Sequence, residues 1–210
     1  MKRILWLVLV VLLAVTGGLP VGAEGIGGEA YDYFPLIPMN IWLYKVSLTE
    51  EKVFSQLVVV NGQTGQDIKT TVFFNKTPVM EVTYIYNEDG LFRTKQISAE
   101  GVETLNPKQM VLASKLAVGT GWDWKAADGQ AKETTKVIGF EEVIVPAGTF
   151  QTLLVQYEGV DKSGAEFREK AWFAKGVGYV KAVTVIGGET ITKELVGYGE
   201  LTPVDEVDKN

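Results

Sequence analysis

The chain of 210 residues contains no histidine and no cysteine. Without histidine there is no Ser-His-Asp arrangement, no Cys-His pair and no ordinary imidazole metal site. Without cysteine there are no disulfides, no thiolate ligands and no thiol to carry a lipid. A serine nucleophile would need lysine as its base. Ser47, Ser55, Ser98, Ser114 and Ser163 stand in no Ser-x-x-Lys context. The NEDG and DKSG segments offer oxygens, but neither continues into a calcium loop with a distal glutamate. GETITKE and GQTGQD lack the Gly-Lys-Ser/Thr signature of a phosphate loop. No metal and no cofactor are therefore expected. Clusters of lysine and arginine are also missing, and the formal net charge is −6. An acidic surface repels phosphate backbones, which excludes nucleic acid as the expected partner.

What is present begins with a separate N-terminal segment. Lys2 and Arg3 precede an unbroken apolar run over residues 5–15, and Val21 and Ala23 satisfy the small-residue rule for cleavage before Glu24. The run is short for a bilayer span, which takes about 20 residues. Residues 1–23 are expected to be a cleaved signal peptide, with an uncleaved anchor as the alternative. No stable membrane span is expected after cleavage, and the product is expected to be secreted, periplasmic or loosely attached to the envelope of a bacterium or archaeon. Removing Lys2 and Arg3 leaves 18 basic against 26 acidic residues, a net charge of −8. Residues 24–32 are expected to be a flexible lead-in, 33–200 a single domain, and 201–210 an acidic tail.

Within 33–200 the signal is β. Short runs of Val, Ile, Thr, Tyr and Phe are broken by glycine-ending turns at 61–65, 87–90, 99–101, 126–129, 146–148, 161–164 and 187–188. Met80, Val82, Tyr84 and Tyr86 share one strand face, and Leu153, Val155 and Tyr157 share another, with Leu154 out of phase. No segment shows a sustained 3.6-residue apolar period. PKQMVLASKLA at 107–117 could pass as a short helix, but strand or irregular structure is preferred. The fold class expected is all-β, a long antiparallel meander curled into a half-barrel or barrel with little or no helix, because a flat sheet of so many strands rarely persists.

FPLIPMNIWLYK at 34–45 and SKLAVGTGWDWK at 114–125 share Leu, five residues, Trp, one residue, an aromatic and Lys. DGLFRTK at 89–95 and SGAEFREK at 163–170 extend this faint internal echo, which would make two halves of the sheet related. FPLIPMNIWLY, LAVGTGWDW with VPAGTF, and WFAKGVGYVK at 172–181 occur in an order that resembles a broad group of secreted bacterial domains sharing a Val-Pro-Ala-Gly-Thr-Phe hairpin. That group is similar in fold to the lipoprotein-localisation factors (LolA/LolB-like half-barrels), whose curved sheet holds acyl chains. The resemblance implies a concave sheet. It implies no site, because no binding residue of those factors maps onto a motif here. The sequence also departs from them in lacking a convincing helix, and Met39 stands where the second copy of the motif has Gly119.

The candidate ligand-binding residues are aromatic. Trp42 with Tyr44, and Trp122 with Trp124, each project from one face of a strand, while Trp172 and Tyr179 flank the AKGVG turn. Aromatics of this kind fill the core of a curved sheet, line its concave face or stack on sugar rings. Gly119 and Gly121 are expected to make room for an indole. The adjacent Glu141 and Glu142 point to opposite faces, so they cannot flank one bond, whereas Asp123, Glu158, Glu166 and Glu169 could converge only through the fold. The leading functional expectation is a non-catalytic exported envelope protein that holds an apolar or amphipathic ligand on a concave sheet. Its expected partner is a lipid, a lipoprotein or another envelope component. A structural module of the envelope with a filled core is the alternative, and a carboxylate-dependent hydrolase ranks last. In VIVPAGTFQTLLVQYEG, Pro146 and Ala147 are expected at the corners of a structural hairpin, with Gly148 at the position of positive φ.

Overall fold

A computed structural model describes residues 29–202. The signal segment, the first part of the lead-in and most of the acidic tail lie outside the described residues.

A five-residue helix, α1 (Glu29–Tyr33), precedes twelve strands. The first six are β1 (Asn40–Ser47), β2 (Val53–Thr64), β3 (Asp67–Phe74), β4 (Thr77–Asn87), β5 (Gly90–Ser98) and β6 (Gly101–Ala113). The second six are β7 (Gly121–Lys125), β8 (Lys132–Val145), β9 (Gly148–Val160), β10 (Glu166–Ala174), β11 (Gly178–Ile186) and β12 (Glu189–Glu200). Every pairing is antiparallel, and the order in the sheet is β6-β5-β4-β3-β2-β1-β12-β11-β10-β9-β8-β7. The meander is thus two six-stranded runs joined where β1 pairs with β12, from Asn40↔Glu200 to Ser47↔Thr192. Register shifts break seven of the ladders, including Leu43/Tyr44 on β1 and Trp172/Phe173 on β10. Each such bulge bends its strand and adds twist. The expected curled meander is what forms, and it is a nearly closed barrel with β6 and β7 facing each other across a seam.

The turns expected from glycine are present, with φ of 143° at Gly90, 136° at Gly148 and 85° at Gly188. The β3–β4 turn reaches positive φ without glycine: Asn75 and Lys76 have φ of 46° and 73°, which asparagine tolerates better than most residues. The 107–117 stretch is strand to Ala113 and irregular beyond.

The opening of the second internal motif reproduces the first in backbone geometry. Met39 and Gly119 have φ of 74° and 90°. Their N–H groups donate to Val60 and Val137, each at 2.9 Å. Met39 therefore leaves the leading turn intact despite its Cβ. The weaker half of the echo fails. DGLFRTK opens β5, the fifth strand of its run, whereas SGAEFREK opens β10, the fourth of its own.

One end of the barrel is plugged by α1 and residues 34–38. Ala30 is fully buried, Tyr31 lies edge-on to Tyr86, and Phe34 lies edge-on to Trp42 and Tyr84 and tilted against Phe173. The Tyr86 hydroxyl donates to the Phe34 carbonyl and accepts from the Leu36 N–H. The plug is tied to both runs. Glu29 Oε2 accepts from the Leu116 N–H at 2.6 Å, and the Asp32 carbonyl accepts from Gly176 at 2.7 Å. Residues 29–32, expected at the end of a flexible lead-in, instead belong to this helix, because Ala30 has an apolar socket to fill and the Glu29 carboxylate a backbone donor to meet.

The VPAGTF hairpin is structural. Val145 pairs with Gly148 across Pro146 and Ala147, the Ala147 N–H donates to the Leu195 carbonyl on β12 at 3.0 Å, and Phe150 meets Tyr198 edge-on. Its tip is thereby anchored on the strand that joins the two runs.

Candidate ligand cavity

Inside the barrel lies a cavity of about 420 Å³, within the usual size range of small-ligand sites. Phe34, Leu36, Trp42, Val72, Val82 and Phe173 give it an apolar end beneath the plug. Away from the plug its wall is polar, with Gln56, Arg93, Gln109, Glu133, Glu169 and Lys193. A second cavity of about 470 Å³ shares Arg93, Gln109, Glu133 and Phe167 with the first and adds Glu103, Lys132, Asp161 and Lys162. The shared residues form a neck between an apolar chamber and a charged vestibule.

The neck is hydrogen-bonded rather than ion-paired. Arg93 Nε donates to Gln109 Oε1 at 3.1 Å, Nη2 donates to the same oxygen, and Nη1 donates to Gln96 Oε1 at 3.2 Å. Burial pushes the half-buried Glu133 carboxyl above its usual value of 4.5, and Glu169 adds to this; a hydrogen bond from Gln109 and the Arg93 charge oppose it. In the folded protein Glu133 therefore holds its proton more tightly than in the unfolded chain. Its contribution falls as pH rises from about 4.5 through the raised value and stays lost above it. Glu133→Gln is expected to raise the melting temperature relative to wild type at pH 7.5 and not at about pH 4. A constant difference across thermal melts in that range would contradict this.

Deeper in, Glu169 accepts from Tyr179 Oη at 2.9 Å and from Thr184 Oγ1 at 2.6 Å. Lys193 lies on the neighbouring strand, its Nζ 3.9 Å from the Tyr179 ring centre and 5.0 Å from that of Tyr44. Burial pushes the phenols of Tyr44, Tyr157 and Tyr179 well above the usual value of 10.0, which keeps all three neutral hydrogen-bond donors.

Of the six aromatics expected at a ligand site, the structure brings three to this cavity. Trp42 and Tyr44 line it from β1 and Tyr179 from β11. All three are also tied into the scaffold. Trp42 donates its indole N–H to the Val177 carbonyl at 2.6 Å, and Tyr44 its hydroxyl to the Tyr179 carbonyl at 2.8 Å. Trp172 does not belong with them. Phe167, Glu169 and Phe173 take the inward positions of β10, so Trp172 faces the other way and donates to the Glu141 carboxylate.

Trp122 and Trp124 share a face as expected, but they close the seam instead of lining the chamber. β6 and β7 exchange no ladder hydrogen bonds. The Trp122 indole donates to the Met110 carbonyl at 3.1 Å and the Trp124 indole to the Pro107 carbonyl at 2.8 Å. Tyr157 Oη donates to the Val111 carbonyl at 3.0 Å and Lys162 pairs with Glu103 at 2.7 Å across the same line. Trp124 also borders the vestibule. Replacing both tryptophans by phenylalanine keeps an aromatic ring at each position but removes both donors, at an expected cost of roughly 1–3 kcal/mol. The loss should appear as faster hydrogen exchange of the β6 and β7 amides, with β1 and β12 unchanged.

The glycines of GTGWDW make no room for an indole. Gly119 is there for its positive φ, with nothing within 4 Å of a would-be Cβ, and Gly121 because the Thr135 carbonyl oxygen would stand 2.9 Å from one. The glycine that accommodates an indole is Gly178, whose Cβ would lie 3.3 Å from Trp42 Nε1. Among the four dispersed carboxylates considered from sequence, Glu169 alone lines the main cavity, and it is joined there by Glu133, which sequence reasoning passed over.

Among the described residues no helix is long and apolar enough to cross a membrane, and no group of acidic side chains is arranged to hold a metal ion. No curated protein matches the chain. Three solved structures resemble it at low identity. One is described as an exported protein with a YmcC-like fold from Bacteroides fragilis, 12% identical, with a TM-score of 0.47 over 80% of this chain and 99% of that one. Another is described as a lipoprotein from Parabacteroides distasonis, 14% identical, with a TM-score of 0.48 over 80% and 98%. The third is the hypothetical lipoprotein YmcC from Escherichia coli, 10% identical, with a TM-score of 0.42 over 82% and 94%. The DUF3108-like family matches residues 130–185, which run from the start of β8 almost to the end of β11.

Proposed function

We propose that the protein is a non-catalytic, exported envelope protein that holds an amphipathic small molecule inside its barrel, with a lipid or lipid-derived compound as the occupant. The observation that carries this reading is the cavity of about 420 Å³ with one apolar and one polar end. The alternative, a structural module with a filled core, would have side chains in this space. The signal-like segment at residues 1–23 supports export. Of the half-barrel and barrel expected from sequence, the nearly closed barrel is the form that occurs, so the concave face is an interior.

Protein purified from its native envelope is expected to carry an amphiphile detectable by lipid mass spectrometry and to take up a fluorescent fatty acid at one site. Protein that is free of any bound species and takes up none would overturn the reading. A second reading has one observation in its favour: Glu133 and Glu169 face the same cavity, as a carboxylate hydrolase requires. Turnover of nitrophenyl glycosides that disappears in both Glu133→Gln and Glu169→Gln would favour it over simple binding.

A further inference from the structure

Lys193 occupies an inward position on β12, between Ile191 and Leu195, which pack into the core. Among the described residues its ammonium group makes no ion pair and no hydrogen bond. The four salt bridges formed there involve Lys162, Arg168, Lys175 and Lys181. Glu169, the acid whose charge acts on it, already accepts from Tyr179 and Thr184. The ammonium group faces the rings of Tyr44 and Tyr179 and the open cavity. A buried charge without a partner is costly, and cation–π contact recovers only part of that cost. Nearby on the same wall, Gln56 sits opposite Tyr44 in the β1–β2 ladder. Its Oε1 is buried with no donor. Rotating that amide would turn its two N–H groups into the same space.

The second cation of the wall is committed elsewhere. All three bonded nitrogens of Arg93 are held by Gln96 and Gln109. The uncommitted cation of the chamber is therefore Lys193, and it stands where the polar wall meets Tyr179 and Phe173, whose rings lie edge to face at 5.1 Å. From there an apolar chain would run along Phe173 and Trp42 toward the plug.

Resting on the binding function proposed above, we propose that the occupant is an amphiphile with a carboxylate head, and that the Lys193 ammonium is the group that binds this head. Burial lowers the proton affinity of the lysine, with Glu169 opposing. Tyr44, Tyr84, Tyr157 and Tyr179 face it as neutral phenols, and Arg93 and Glu133 complete the charged wall. An arriving carboxylate restores the ammonium form, so binding takes up a proton wherever the empty site has lost it. Acid affinity then falls as pH rises through the lowered lysine range, while a neutral ligand is indifferent.

The test titrates the full protein with dodecanoic acid and with dodecanol, read by tryptophan fluorescence, in wild type and Lys193→Met. The acid is expected to bind wild type about tenfold or more tighter than the alcohol, and the ratio to fall to about one in the variant. Equal binding of acid and alcohol by wild type would overturn the head-group assignment and leave the cavity function standing. A preference for acid that survives Lys193→Met would move the head to another residue. Binding of neither compound would bring down the function itself. If the variant does not fold, the wild-type pH series decides: acid affinity that stays flat from about pH 6 to 10 rejects the lysine.

Discussion

Gly90→Ala is expected to cost roughly 3–5 kcal/mol, seen as a fall of roughly 6–20 °C in melting temperature at two to four degrees per kcal/mol. Gly90 opens β5 with φ of 143°, where a side chain is strained. Its Cβ would stand 2.1 Å from the Leu112 carbonyl oxygen and 2.9 Å from two backbone atoms of Ala113. Neither neighbour is a flexible side-chain tip, so β6 must move away from β5. The pairs Gly90↔Ala113 and Leu91↔Leu112 begin this ladder, and the same two strands position Arg93 and Gln109. Weaker ligand uptake should therefore accompany the stability loss. Gly187→Ala serves as the control, because that glycine shares a positive φ but has no atom within 4 Å of its would-be Cβ. A melt in which Gly90→Ala matches Gly187→Ala would refute the argument from backbone contact.

Trp42→Ala should be comparably severe, about 3–5 kcal/mol by analogy with other buried tryptophans. The side chain is 1% exposed. It anchors the Phe34 plug, and its indole satisfies the Val177 carbonyl, which the variant would leave without that donor. Its removal also enlarges the apolar end of the cavity, so the surviving folded fraction is expected to favour bulkier apolar probes. Trp172→Ala removes an equally large ring that faces away from the cavity. It should lower stability without altering uptake. A shift in probe preference in Trp172→Ala, or none in Trp42→Ala, would contradict the placement of the two rings.

The contrast between these tryptophans marks what sequence could supply. Period-two alternation placed Trp42 with Tyr44 and Trp122 with Trp124 correctly on shared faces, and glycine marked most of the turns. Which face was interior, and what it met, depended on closure of the sheet, which no local pattern encodes. Trp122 and Trp124 looked like Trp42 and Tyr44 because they open the equivalent strand of the second run. They differ because β1 has a paired neighbour on each side and β7 does not. The polar wall left a signal that was not read. Lys193 sits between Ile191 and Leu195, and Glu169 between Phe167 and Ala171, each a charge at the inward phase of an otherwise apolar face. Charge in that phase is expensive in a core, and this makes it a pointer to a cavity.

The β1–β12 ladder has a consequence for how the barrel comes into being. Asn40 pairs with Glu200, so the first of the described strands finds its outer neighbour only in the last of them. Such distant pairing slows folding and prolongs the exposure of unsatisfied edges. During synthesis β1 to β6 can assemble as a meander, with one edge of β1 left bare until residues 189–200 arrive. A chain cut short before β12 would keep that edge, and its row of unpaired backbone groups is a template for aggregation.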